Sequence, residues 1–116
     1  PKRLQPIDLP PAADPSPVRN TLARGVGVLR DRAGLTATIK TLLPLATSRI
    51  AASDPALVGL MIAVAALQRQ ESRGAHWRTD FPAHGAMAKR SLLRLDEVLV
   101  AVCSLEDDSA PIARSA

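Results

Sequence analysis

The chain has 116 residues, 47% of them hydrophobic, which fits one domain with a modest core. So short a chain buries a smaller fraction of its surface than a large enzyme does, so part of its apolar surface is expected to face a neighbour. Its formal charge of +4 comes from basic residues scattered from Lys2 to Arg114 with no Tyr and only Trp77 and Phe81 as aromatics, a pattern of a solvated basic face rather than a nucleic-acid surface.

Pro1, Pro6, Pro10, Pro11, Pro15 and Pro17 crowd the start, and proline fixes φ and removes a donor, so residues 1–16 are expected to be a proline-rich linker. Pro1 stands where an initiator Met would, as in a processed chain or a piece of a longer protein. A first helix is predicted from Ser16 or Pro17, capped by Asp14 or Ser16, with Val18, Leu22, Val26 and Leu29 as its apolar stripe. Gly25 and Gly27 weaken its end and permit close approach of another backbone. A second helix is predicted after Asp31, with Leu35, Ile39, Leu42 and Leu43 on one face, ending or kinking at Pro44.

The third helix is the clearest element. Ser53 or Asp54 caps it, Pro55 sits at its start, and it is expected to run from Pro55 to Ser72 with Gly74 as the stop. From Ala56 to Leu67 it is apolar on every side. That run is short of the roughly 20 residues a membrane span needs, so it reads as a buried helix that must be covered all round, more than the other short helices can manage. No membrane association is expected.

Ala88, Leu92, Leu95, Leu99 and Val102 fit a last helical stripe. Alternatively Asp96 caps the helix and residues 90–95 are extended; helix is predicted at least from Asp96 to Cys103. Cys103, the sole cysteine, excludes an internal disulfide and a cysteine-based zinc site, and reads as a small apolar residue on a helix face in a reducing, cytoplasmic protein. Residues 105–116 are expected to be a disordered tail. With no strand alternation the class is all-α: a small bundle of three to four helices over residues 17–104.

Between the third and fourth helices lies Glu71-Ser72-Arg73-Gly74-Ala75-His76-Trp77-Arg78-Thr79-Asp80-Phe81-Pro82. Polar groups this close to a core must be paired. Four arrangements suit the residue types. His76 with Asp80 could be a base with its orienting acid, although no activated nucleophile accompanies them. His76, Asp80 and His84 have tolerable metal-ligand spacing without a confirming cluster. Arg73 and Arg78 carry forks suited to an anion. The commonest use of such residues is a hydrogen-bonded corner that locks a helix end to a loop or another domain.

This string closely resembles the signature near the C-terminus of the succinate dehydrogenase, fumarate reductase and L-aspartate oxidase flavoproteins, where it ends a long helix of a C-terminal helical domain. Val26-Gly27-Val28-Leu29-Arg30-Asp31 with Gly34-Leu35 is similar to the first helical hairpin of the aspartate oxidases, and the short, helical end after Pro82 resembles them rather than the longer, partly β extension of the dehydrogenases and reductases. The resemblance covers about residues 17 to 100. It implies that this is the C-terminal domain of a larger FAD enzyme converting L-aspartate to iminoaspartate, with oxygen or fumarate as final acceptor and quinolinate synthase next in de novo NAD synthesis. It also implies FAD-binding and capping domains upstream in the same chain as partners. The chain lacks a G-x-G-x-x-G turn between strand and helix, so no catalytic, cofactor-binding or metal role is assigned in it and the segment alone is expected to be inactive. Glu71, Ser72, Arg73, Gly74, His76, Arg78 and Asp80 are expected to form the interdomain corner. Two other readings stay open: a dehydrogenase or fumarate reductase flavoprotein piece, and a free-standing basic helical binding module.

Overall fold

The computed structural model describes residues 12–109, and the side chains of residues 12–107. The elements in order are α1 (Ser16–Gly25), β1 (Leu29–Arg30), α2 (Arg32–Thr47), α3 (Ser53–Gln68), β2 (Trp77–Arg78) and α4 (Leu95–Ser109). Among the described residues four helices carry the fold, and the two strands are two-residue segments paired in parallel, so the class is all-α. Residues 1–11 of the expected linker and 110–116 of the expected tail lie outside the described residues.

Helix α2 packs along α3, and α1 and α4 close over the pair. The core is aliphatic: Leu35, Ile39 and Leu42 from α2 meet Ala56, Leu60, Ala63 and Val64 from α3, with Val18 from α1 and Val98 and Val102 from α4. Alternation of small with large residues on α3 lets neighbouring helices approach closely while still filling the space between them. Gly25 shows the tightest approach. A Cβ there would lie 1.6 Å from Thr38 Oγ1 and 2.9 Å from the Gly34 carbonyl oxygen, so α1 ends in contact with the first turns of α2.

The caps follow the sequence in part. Asp31 Oδ1 accepts from Gly34 N–H at 2.7 Å, starting α2 where expected. Asp14 Oδ1 accepts from Ser16 N–H at 3.0 Å ahead of α1. Glu97 reaches back to the Arg94 amide at 3.0 Å, half of a capping box that opens α4.

Several expectations are corrected. Leu29 belongs to β1 and is exposed, because α1 stops at Gly25. Helix α2 continues through Pro44 to Thr47. The missing Pro44 donor concerns only the carbonyl of exposed Lys40, which water can serve, and the Thr47 and Ser48 hydroxyls take up the last carbonyls at Leu43 and Pro44. Ser53 is the first residue of α3 rather than its cap, its hydroxyl being bonded to the Ile50 amide and the Ser48 carbonyl. Helix α3 ends at Gln68, before Ser72, for a reason found in the functional site.

In α4 the buried stripe is Val98 and Val102 with Leu105 packed behind, while Leu92, Leu95 and Leu99 are exposed. Helix α4 extends past the packed Leu105 to Ser109, into the expected tail, and Cys103 is exposed beside Val102. No helix among the described residues is long and apolar enough to cross a membrane.

Candidate functional site

The corner is built on the C-terminal end of α3. A helix leaves its last carbonyls without intrahelical donors, and a buried end needs donors from elsewhere. Arg78 supplies them. Its Nη1 donates to the carbonyls of Ala66 at 3.0 Å and Leu67 at 2.9 Å. Only 1% of the residue is exposed, and it is the largest fully buried side chain among the described residues. Its Nε and Nη2 engage both oxygens of Asp80 at 2.8 and 2.6 Å, and its guanidinium lies 5.0 Å from the centroid of the Phe81 ring. Positive charge at the negative end of the α3 dipole adds to the fit. With the last carbonyls claimed by a side chain from beyond the turn, the backbone departs at Arg69, which is why the helix stops short.

Ser72 fixes the return of the chain. Its hydroxyl accepts from the Arg78 amide at 2.8 Å and donates to the Phe81 carbonyl at 2.9 Å, and its own amide donates to the Ala83 carbonyl at 3.0 Å. Arg73 and His76 exchange backbone hydrogen bonds at 2.8 and 3.1 Å around a turn in which Gly74 adopts a φ of 59°. That left-handed conformation strains a residue with a Cβ, so the Gly74 expected to stop the helix serves a reverse turn instead.

Two carboxylates anchor the corner. Asp80 is held at a pKa of about 2 by the Arg78 fork, against the opposing effect of burial, and also accepts from the Arg32 amide at 3.2 Å. Glu71 accepts from the Gly85 amide at 2.6 Å, from Arg73 Nε at 3.1 Å and from Arg69 Nη2 at 2.9 Å. The Gly85 amide foremost, and then the two guanidiniums, hold Glu71 below the usual carboxylate range. Arg73 Nη2 donates further to the Gly85 carbonyl at 2.9 Å, pinning the irregular segment that leads to α4.

His76 connects the corner to β1. Its Nδ1 lies 3.1 Å from Arg30 Nη1 and its Nε2 lies 3.0 Å from the Arg69 carbonyl oxygen. A guanidinium only donates and a carbonyl only accepts, so the tautomer is fixed with the proton on Nε2. The Thr79 amide donates to the Arg30 carbonyl at 2.8 Å, extending the parallel pairing of Leu29 with Trp77 and Arg30 with Arg78.

These contacts bear on each of the local arrangements. Asp80 is occupied by Arg78 and His76 by Arg30, so the two do not form an acid–base pair. His84 donates from Nδ1 to the Ser72 carbonyl at 2.6 Å, and no group of three metal-ligating side chains occurs among the described residues. Arg73 and Arg78 serve different carboxylates and do not converge on one anion. A hydrogen-bonded corner remains, with no buried side-chain polar atom unpaired among the described residues. Arg30, Arg69 and Gly85 belong to it without having been singled out in the sequence. The Arg30 contacts span more than forty positions, and no local pattern signals them.

A flavin cradle needs a strand, a glycine turn and a helix N-terminus. Gly25 instead closes α1 and Gly27 follows it, with Thr38 filling the space beside Gly25, so these two glycines do not form such a cradle.

Residues 53–109, which hold α3, the corner and α4, match the family described as fumarate reductase flavoprotein C-term. The chain is 47% identical over 90 residues to an L-aspartate oxidase of Mesorhizobium japonicum, covering 78% of the chain and 18% of that protein. It is 46% identical over 107 residues to an L-aspartate oxidase of Agrobacterium fabrum, covering 90% and 20%. A third L-aspartate oxidase, from Rhodospirillum rubrum, is 40% identical over 82 residues, covering 64% and 28%. No solved structure matches significantly. The chain thus spans about a fifth of the length of the first curated relatives it matches. The family match over α3, the corner and α4 and this agreement with the aspartate oxidases lead to one conclusion: residues 53–109 belong to the family described as fumarate reductase flavoprotein C-term.

Proposed function

We propose that this segment is the C-terminal helical domain of an FAD-dependent enzyme that oxidises L-aspartate to iminoaspartate for de novo NAD synthesis. The observation that carries this reading is the 47% identity over 90 residues to a protein named L-aspartate oxidase. In this reading the flavin and the substrate are bound by the FAD-binding and capping domains of the same polypeptide. Quinolinate synthase would take the product onward in the cytoplasm. The helical domain, over residues 17–104, contributes no reacting group.

Its residues act by position. Arg78 with Asp80 terminates α3, Ser72 fixes the return strand, and Glu71 with Arg73 holds the segment after Pro82. Gly74 turns the chain so that His76 meets Arg30. Together they present one rigid face for the flavin-binding part to rest on.

The test is to produce the complete polypeptide that carries this segment and measure flavin absorbance and oxidation of L-aspartate against succinate. A flavin-containing protein that oxidises aspartate and spares succinate is the expected result. Preference for succinate would move the segment to a dehydrogenase or fumarate reductase flavoprotein. A flavin-free protein inactive on both would overturn the assignment. In the same polypeptide, Arg73→Ala is expected to lower flavin content and melting temperature. If both were unchanged, the structural role of Arg73 would be lost.

A further inference from the structure

Helix α3 is apolar on all sides, and its own neighbours cover it only in part. Ala56, Leu60, Ala63 and Val64 are buried by α1, α2 and α4, whereas Val58 remains 58% and Ile62 47% exposed. An apolar stripe left open on an otherwise buried helix marks an interaction surface. The stripe has relief. Between α1 and α3 lies a groove of about 420 Å³ walled by Pro15, Val18, Leu22, Val58 and Ile62. Next to it lies a hollow of about 400 Å³ with Ile62 and Ala65 at its floor and Arg30, Arg69, Arg73 and His76 around it. Ile62 lines both, so they form one surface. From Val58 to Arg69 it runs roughly 16 Å along the helix axis, at about 1.5 Å per residue.

The two halves differ in what they accept. The groove suits an aliphatic ridge. The hollow is cationic. Glu71, the carboxylate that serves Arg69 and Arg73, does not line it. Arg30 is bonded only to neutral groups, the Gly27 carbonyl at 2.9 Å and His76 at 3.1 Å, with no carboxylate within ion-pair distance among the described residues. A half-buried guanidinium so placed is complementary to an incoming carboxylate.

We propose that this surface seats the remainder of the same flavoprotein polypeptide, which lays an aliphatic ridge between α1 and α3 and sets a carboxylate side chain on Arg30. The inference rests on the reading of the segment as part of a longer flavoprotein, and it adds which face is covered and by what chemistry. The matched relatives have most of their length outside the matched region, since that region is 18% of one and 20% of another. A tethered partner faces the groove at high effective concentration. The backbone enters the described structure at the rim of this groove, where Ala13 and Pro15 form part of its wall.

The experiment places photo-crosslinkable p-benzoylphenylalanine at position 62 of the complete polypeptide and maps the products by mass spectrometry after irradiation. The expected product has the mass of a single chain and joins position 62 to a peptide outside this segment. A product of doubled mass would show that a second copy covers the face, and absence of any cross-link would show that solvent does; either overturns the proposal. Arg30→Glu, and to a lesser degree Arg30→Gln, is expected to lower the yield several-fold. An unchanged yield in Arg30→Glu would remove the carboxylate from the proposal. These readouts need neither flavin nor turnover, so a cross-link in a protein that fails to oxidise aspartate would retire the functional reading alone.

Discussion

Arg78 is the residue on which the corner depends. It is buried, paired and bonded to two helix carbonyls, so its removal leaves the α3 end without these donors and Asp80 without its fork, held by the Arg32 amide. Leaving a buried acceptor without its donor costs about 1 to 3 kcal/mol, whereas the exposed Asp80 carboxylate can turn to water. Arg78→Ala is expected to lose stability of about that size, seen as a large drop in the melting temperature of the complete protein. Arg78→Lys should recover little, because an ammonium cannot reach two carbonyls and both oxygens of a carboxylate in the plane of a fork. Full recovery by lysine would mean that charge alone matters. Acid provides a second probe. Asp80 is held at about 2 in the fold, below an unfolded carboxylate near 3.9, and Glu71 is lowered in the same direction. The folded state therefore favours the ionised carboxylates. The Asp80 contribution is complete well above the unfolded value and is lost as pH falls from about 4 through about 2, and that of Glu71 weakens in the same direction. Asp80→Asn should flatten the acid side of the stability–pH curve in that window, and an unaltered slope would count against the pairing.

At the scale of elements, the close packing of α1 on α2 is carried by one missing side chain. Gly25→Ala would set a Cβ on Thr38 Oγ1 and near the Gly34 backbone carbonyl, and backbone cannot step aside cheaply. Overpacking of this kind costs about 1 to 3 kcal/mol. Gly59→Ala meets only the ends of Leu22 and Leu42 at 3.1 Å, which can shift by a few tenths of an ångström. A melting series should therefore rank Gly25→Ala well below Gly59→Ala, with Thr38→Ala recovering only part of the Gly25 loss because the Gly34 carbonyl remains. Equal melting temperatures would refute this account of the helix junction. The same elements show what was legible in the sequence. Asp31 announced α2 and the Ala56–Leu67 run announced α3, because caps and periodicity are local signals. The early end of α3 was not legible, because the group that ends it, Arg78, stands ten positions beyond Gln68 and acts through space. Val102 was legible as part of the last stripe, but the choice of Val98 over Leu95 and Leu99 as its buried companion was hidden for a related reason: all are apolar, and packing against α3 decides between them.

At the scale of the whole molecule, the corner was legible as a cluster needing partners, whereas the identity of the partners was not, since Arg30 reaches it from the other end of two helices. That long reach bears on how the chain comes to its fold. The α2–α3 pair is joined by only a few residues and can assemble early, but the bonds between the Arg30–Arg32 region and the Thr79–Asp80 region close a loop of 48 or 49 positions. Contacts of such separation form late, after the helices have met, because their loop-closure entropy must be met before they return anything. An interaction absent from the transition state affects escape from the native state rather than arrival at it. Stopped-flow kinetics of Arg78→Ala and Asp80→Asn should accordingly show faster unfolding with nearly unchanged refolding, and slowed refolding would place the corner in the nucleus instead. The two-residue β-pairing is in this sense a latch: small in extent and late to close, it governs how long the native arrangement lasts more than how quickly it is found.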